Sequence, residues 1–369
     1  MSQPAERSRR WIVLSGEPVS RWGGDLRRRH IFARLAARTG AAVVDQGWYP
    51  VLLRRAVSGR LGFLPGPLLY RLPTRGPKPL LASSEKLRDR LLDTARAITD
   101  PAVVAVYDDA AAQSRALGVA MDPGWLAQLR ERQRRNLDAF RSHVVPTRSF
   151  AELIGLDLDR VIVGGNGTDT SRIVPGAWPE RPAVGVVSGA APGRGLELLV
   201  EATRLARETI PDLLLRMWLV ATGEESESYL AALRAATAAD PWISIEAAPY
   251  ERLSAALASA SALCITHPSN DYMDVALPVK LFDSLAAGRP LIVTPRLETT
   301  ALLRRHGVGV VAAGDSAADV AGAIVATLSD ADRLRTLGAK ARDVAVREFD
   351  WKVVGDRIAD AVLAREGLR

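Results

Sequence analysis

The stretch PVKLFDSLAAGRPLIVT, residues 278–294, reads as a helix from about Val279 to Ala287, closed by Gly288 and followed by a strand that Pro290 opens. The strand is an unbroken apolar run, the mark of a strand buried on both faces of a parallel sheet. Its helix carries Lys280 and, three residues on, Asp283, so a cation and a carboxylate share one face. A carboxylate so placed can accept both hydroxyls of a ribose, and a lysine can offset phosphate charge. The plainer reading, which the spacing alone favours, is a solvent-facing ion pair on an ordinary helix.

The same helix-then-strand unit recurs in both directions along the chain. Upstream, strand candidates are WIVLS (11–15), AAVVD (41–45), VVAVY (103–107), HVVPT (143–147) and RVIVGG (160–165), with an amphipathic helix from about Asp25 to Arg38. Closer to the opening stretch come AVGVVS (183–188), RMWLVA (216–221), ISIEA (243–247), ALCITH (262–267), PLIVT (290–294) and VGVVAA (308–313). Helical patterns separate most of these runs, and β-then-α repetition implies parallel sheets. The Pro-rich stretch IVPGAWPERPA (173–183) divides the two series. With 369 residues at roughly 150 per domain, the expectation is two doubly wound, Rossmann-like α/β domains.

Residues 46–82 break the rhythm, with Pro and Gly scattered among large apolar residues and basic residues but no acid. Proline excludes one long helix there. The segment reads either as an acceptor-binding or membrane-surface element, its basic groups meeting anionic headgroups, or as an irregular insertion packed on the N-terminal domain.

Composition removes several function classes. One cysteine excludes a disulfide scaffold and a thiolate zinc site, and four histidines without a short pair argue against a His-based metal centre. WIVL at 11–14 is too short for a signal-peptide core, and no apolar stretch reaches about 18 residues, so a cytoplasmic protein is expected. Residues 1–180 hold 28 Lys+Arg against 18 Asp+Glu, whereas the remainder holds 21 against 24. The basic half and the near-neutral half therefore suit different partners. Nucleic acid is not expected as one of them, because aromatic platforms and a recognisable binding module are missing from the sequence.

Two further loops have anion-binding character. VGVVSGAAPGRGLELLVEA (184–202) is a strand, a Gly/Pro/Ala loop and a helix beginning near Gly195, whose N-terminus attracts anions while Arg194 adds bidentate phosphate recognition. The loop after the first strand holds Gly23 and Gly24 ahead of a helix, a weaker signal for close approach of backbone to a charged ligand. Asp108 and Asp109 follow the buried run VVAVY, where α/β sites open; either serves as a helix N-cap or as a catalytic group. His267 and Asn270 follow ALCITH on the ligand side of their sheet, and Cys264 within that run reads as a small core residue. DLD at 157–159 reads as a turn before a strand rather than a metal motif.

Together these segments resemble the family-4 glycosyltransferases of the GT-B fold, over nearly the whole chain. The Gly23-Gly24 loop is similar to that family's N-terminal glycine loop, and VVPTRSFAELIGLDLDRVIVGGNGTD (144–169) to its interdomain signature, ending in the turn Asn166-Gly167-Thr168-Asp169. PGRG (192–195) matches the loop of the phosphate-binding lysine, with Arg194 in its place; LVATGEE (219–225) resembles the family's Gly-containing strand end. Residues 278–294 are similar to the Pro-x-Lys-x-x-Glu, Ala-Gly-x-Pro motif, and FDW (349–351) to the start of a C-terminal helix that crosses back to the N-terminal domain.

The resemblance implies two Rossmann-like domains facing across a cleft: 1–178 for the acceptor, 179–350 for the nucleotide sugar and 351–369 as the returning helix. It implies a retaining transfer of a sugar from a nucleotide-sugar donor to an acceptor hydroxyl, with no metal or other cofactor. The implied donor set is Gly23, Gly24, Gly189, Arg194, Gly195, His267, Asn270, Lys280 and Asp283, and the catalytic set Asp108, Asp109, Arg194 and Lys280. The acceptor expected is a sugar, a lipid-linked glycan or a small molecule, with peripheral contact at the inner membrane face through 46–82. Three positions depart from the pattern: Gly189 stands where an arginine is common, Val275 where a first glutamate is common, and Asp283 replaces the second glutamate. Those departures keep open a catalytically silent scaffold paired with an active partner. A GT-B epimerase or phosphorylase is the remaining alternative, though an epimerase calls for dense His and Glu residues that four histidines hardly supply.

Overall fold

The computed structural model describes residues 12–15, 30–38 except 32 and 36, 42–45, 78–82, 99–107, 109–118, 122–247 and 249–366. The chain divides into two compact units. One comprises Met1–Ala111, Met121–Gly165 and Lys352–Arg369, the other Ala112–Ala120 and Asn166–Trp351.

The first unit is built on a parallel sheet in the order β2-β1-β3-β4-β5-β6. Its strands are β1 (Ile12–Ser15), β2 (Ala42–Asp45), β3 (Lys78–Ala82), β4 (Thr99–Ala105), β5 (Ser142–Val145) and β6 (Val161–Val163). Strand β3 corrects the reading of 46–82 as wholly irregular, because its last five residues pair between β1 and β4. Proline is tolerated near the start of β3 and within β4, where the register shifts between Leu80 and Leu81. Helix α1 (Ala110–Leu117) follows β4 and passes into the second unit from Ala112, while α2 (Pro123–Asp138) and α3 (Arg148–Leu153) belong to the first. Asp122 and Thr147 cap α2 and α3 by accepting from the Trp125 and Phe150 amides. Asp157 accepts from the Asp159 amide, so DLD is a turn. The last helix, Trp351–Arg365, ties into this unit: Asp356 takes a two-pronged contact from Arg34, and Arg357 donates to the Gly164 carbonyl at 3.2 Å.

The second unit holds a parallel sheet in the order β12-β11-β10-β7-β8-β9. The strands are β7 (Ala183–Gly189), β8 (Leu214–Val220), β9 (Ile243–Glu246), β10 (Ala262–Ile265), β11 (Leu291–Val293) and β12 (Gly309–Val311). Between them lie α4 (Leu196–Arg207), α5 (Glu224–Ala236), α6 (Leu253–Ala258), α7 (Asp271–Val275), α8 (Val279–Ala286), α9 (Leu297–His306), α10 (Ala317–Leu328) and α11 (Ala331–Val344). Strand side chains alternate between two cores, as the period of two demands. Ala262, Cys264 and Ile292 pack with Leu199 of α4 and Ile324 of α10 on one face. Leu263, Ile265, Leu291 and Val293 pack with Leu281, Phe282 and Leu285 of α8 on the other. Both faces are covered, which is why these strands read as continuous apolar runs.

Candidate functional site

In the second sheet the winding reverses between β7 and β10. The chain runs from β7 to β8 and β9 on one side, and from β10 to β11 and β12 on the other. At such a reversal the loops leaving the two strands diverge and open a crevice at their carboxyl ends, where α/β proteins place ligands.

The loop after β7 ends at Gly195, the N-cap of α4, which has φ 68° and supplies no side-chain cap. Only glycine enters this left-handed conformation without strain. A Cβ there would also overlap the Thr266 carbonyl oxygen. The Thr266 hydroxyl donates to the Gly195 carbonyl at 2.7 Å, which ties the end of β10 to the start of α4. The first-turn N–H groups of α4 have no capping side chain and face the crevice end of the sheet, an arrangement that favours an anion.

Cationic groups gather at the same point. Lys280, in the first turn of α8, donates through Nζ to the Ser188 hydroxyl near the end of β7 at 3.4 Å. Burial pulls its ammonium down to about 7, and the Arg194 charge adds to the fall. His267, just past β10, is 1% exposed, and its Nε2 has no hydrogen-bond partner among the described residues. Burial holds this imidazole well below its ordinary value, with Lys280, Arg194 and Arg296 each adding repulsion. A neutral ring whose Nε2 has no partner among the described residues thus feels the charges of Lys280, Arg194 and Arg296, and can donate to or accept from a ligand.

One turn along α8, Asp283 turns to a different neighbour. Its Oδ1 accepts from the Thr168 hydroxyl at 2.7 Å. Burial pushes the carboxyl up to about 7, the Thr168 hydrogen bond opposes that rise and the Asp169 charge adds to it. Tyr250 lies within reach of the same charge; its phenol is pushed up to about 12, mainly by burial, and its ring stacks under the Arg172 guanidinium at 4.1 Å. Lys280 and Asp283 are therefore not an exposed ion pair. Each side chain is partly buried and bonded elsewhere, so the structure overturns the plainer reading of that helix.

The remaining expected residues fall as follows. Gly189 ends β7, is exposed, and has only the Val220 carbonyl oxygen at 4.0 Å from a hypothetical Cβ, so a side chain would fit. Asn270 caps α7, its side chain accepting from the Met273 amide at 2.9 Å. Val275 is buried, while nearby Asp274 is bonded to Arg296 at 3.0 Å and to Ser269 at 3.1 Å. Asp109, in the first unit, immediately precedes α1. Asp108, Gly23, Gly24 and residues 46–77 lie outside the described residues. Three groups at the site escaped the sequence reading: Thr168, Ser188 and Thr266. Thr168 stood inside the quoted Asn-Gly-x-Asp turn, but its partner is 115 positions away.

Among the described residues no cluster of three or more His, Cys, Asp or Glu could hold a metal ion. Among them, too, no helix is long and apolar enough to cross a membrane.

Comparison with known proteins fits this geometry. Residues 181–330 match the family described as glycosyl transferases group 1. The chain is 27% identical over 232 residues to D-inositol 3-phosphate glycosyltransferase of Nocardia farcinica, which covers 59% of this chain and 50% of that protein. It therefore spans half the length of that curated relative. Sucrose-phosphate synthase of Thermosynechococcus elongatus superposes with a TM-score of 0.70 at 13% identity, covering 98% of this chain and all of the other. HepE of Anabaena, crystallised with UDP and glucose, gives 0.69 at 13% identity over 95% of this chain and 98% of its own. WaaG, a glycosyltransferase of lipopolysaccharide biosynthesis, gives 0.62 at 14% identity over 95% and 99%. The fold is that of the GT-B glycosyltransferases.

Proposed function

We propose that this chain, whose residues 181–330 match glycosyl transferases group 1, moves a sugar from a nucleoside-diphosphate sugar to an acceptor hydroxyl with retention of anomeric configuration. The observation that carries the reading is the convergence of Lys280, Arg194, His267 and the α4 N-terminus on the β7/β10 reversal. Departure of the diphosphate develops negative charge on its oxygens, and fixed cations and N–H dipoles lower the barrier most when they are already in place. Arg194 and Lys280 meet the phosphates, with first-turn amides of α4 beside them and no metal required by the scheme. Asp283 takes the ribose, and the neutral His267 ring offers its free nitrogen to the sugar or the phosphates. Gly189 and Asn270 line the donor side.

The acceptor belongs to the basic N-terminal unit, where Asp108 or Asp109 supplies a catalytic polar group. A sugar, a lipid-linked glycan or a small molecule fits, and the basic 46–82 segment suits a cytoplasmic enzyme working at the inner membrane face. Solved relatives with UDP or UDP-glucose bound favour UDP-sugars as the first donors to try.

The test is donor turnover. UDP-glucose, UDP-N-acetylglucosamine, GDP-mannose and ADP-glucose are incubated with the protein, and the released sugar or glycoside is followed by proton NMR. The reading predicts nucleoside-diphosphate release from one donor, with the α anomer formed first, and loss of release in Lys280→Ala. Release of the β anomer first would overturn retention, and release equal in Lys280→Ala would overturn the assigned site.

A further inference from the structure

We infer that Thr168 is a positioning residue: clamped by the Phe349–Trp351 segment, it fixes one oxygen of the Asp283 carboxylate and leaves the other for the donor ribose. The inference rests on the nucleotide-sugar reading and specifies how that site is held.

Thr168 is fixed from both sides of its peptide. Its amide donates to the Phe349 carbonyl and its carbonyl accepts from the Trp351 amide, each at 2.9 Å, forming a parallel bridge opposite Asp350. Gly167 permits this approach, since a Cβ there would lie 2.6 Å from the Phe349 carbonyl oxygen. The Asp350 carboxylate takes up the Thr170 amide at 3.2 Å and also accepts from the Thr170 hydroxyl, so the turn is held two residues further on.

The other end of the hydrogen bond is referred to the same segment. Phe282, the neighbour of Asp283 on α8, packs edge-on against the Phe349 ring with centroids 4.9 Å apart. One residue, Phe349, therefore sets the backbone of Thr168 through its carbonyl and the helix carrying Asp283 through its ring. The hydroxyl then takes Oδ1 of Asp283 at 2.7 Å, while Oδ2 has no hydrogen-bond partner among the described residues. An aspartate swings freely about two torsions; a fixed donor on one oxygen defines where the second points. A shorter side chain than glutamate gains most from such a fixed partner.

The groups facing the carboxylate are Thr168, Asp169 and Tyr250, with Lys280 one turn before it on the helix and Arg172 over the Tyr250 ring. The Thr168 hydroxyl stabilises the ionised form and so opposes the rise that burial imposes. Its removal moves the carboxylate midpoint to higher pH.

The experiment compares wild type, Thr168→Val and Thr168→Ser by calorimetric binding of UDP, GDP and ADP between pH 5.5 and 8.5. Valine keeps the shape and removes the hydroxyl; serine restores it. A hydrogen bond to a charged group is worth enough to predict roughly 10-fold weaker binding at pH 7 in Thr168→Val. Its binding-against-pH curve should move to higher pH, with both properties restored in Thr168→Ser. The titration of the nucleotide phosphate and of Lys280 is common to all three proteins, so the difference isolates Asp283. Unchanged affinity and midpoint in Thr168→Val overturn the inference while leaving the nucleotide site intact. Equal loss in Thr168→Ser also overturns it, since packing alone then explains the effect. Failure of wild type to bind any of the three nucleotides overturns the proposed function, and this inference with it.

Discussion

Thr266 and Gly195, 71 positions apart, hold each other in register: the threonine hydroxyl donates to the glycine carbonyl at 2.7 Å, and the glycine has no room for a Cβ against the threonine carbonyl. This contact joins the two strands at the reversal of the sheet and aims the α4 N-terminus. Gly195→Ala combines a left-handed backbone, which costs an L-residue about 1–2 kcal/mol, with overpacking of about 1–3 kcal/mol. Urea unfolding should show a loss of about 3 kcal/mol, with nucleotide binding reduced in whatever protein stays folded. A stability equal to wild type would show that the loop rearranges and that the aim of α4 is not fixed by this contact.

Asp283 is a cost to the fold, because its carboxyl is buried. Its carboxyl titrates near 3.8 when unfolded and about 7 when folded, so the native state binds the extra proton between those values. Its contribution to stability therefore falls as pH rises from about 4 to 7 and stays at its minimum above that. Asp283→Asn keeps an acceptor for Thr168 without the charge. The melting temperature of the ligand-free variant should exceed wild type above pH 7, with the gap closing toward pH 4. A gap that widens at low pH would contradict the assignment.

Lys280 has the opposite slope. Its folded midpoint of about 7 lies below the unfolded 10.5, so the unfolded chain binds more protons between those values and stability rises with pH across that window. Lys280→Met should raise the ligand-free melting temperature most below pH 7, and the advantage should fade toward pH 10. The same substitution should weaken nucleoside-diphosphate binding roughly 10- to 100-fold, the worth of a charge-assisted hydrogen bond. A variant that melts like wild type at pH 6 would place the lysine in solvent.

Much of this is legible in the amino-acid sequence. Apolar runs buried on both faces announce themselves by lacking alternation, and all eleven strand candidates coincide with strands of the two sheets. The twelfth, β3, did not, because Lys78–Ala82 is short, includes Pro79 and closes a long Pro- and Gly-rich segment. At the site, Lys280, Asp283, Arg194 and His267 stand on local patterns and could be singled out. Thr168, Ser188 and Thr266 could not, since each matters through a partner on another element. Polar residues in turns are usually local caps, and Asn270 is one, its oxygen accepting from the Met273 amide.

Arg289 illustrates the same limit within the core. It occupies the variable position of the Ala-Gly-x-Pro stretch, is 1% exposed, and stacks over Trp178 at 4.2 Å. Its guanidinium donates to the carbonyls of Ala260, Ala258, Ala177 and Gly176, pinning the Pro-rich 173–183 stretch to the end of α6. Lysine cannot reproduce this planar fork. Arg289→Lys should destabilise the protein by about 3 kcal/mol, the scale for leaving buried partners unpaired. A loss below about 0.5 kcal/mol, the range of a neutral surface change, would show that the fork is dispensable.

The most direct test of the central claim is a thermal-shift panel of UDP, GDP, ADP and TDP with their sugar conjugates, run on wild type, Lys280→Ala and Asp283→Ala. A ligand that binds only the folded state raises the melting temperature by mass action. The account predicts that one nucleotide series stabilises wild type selectively and that both variants lose the shift while remaining folded. The absence of a shift with every nucleotide, or a shift of equal size in both variants, would contradict a donor site at the β7/β10 reversal.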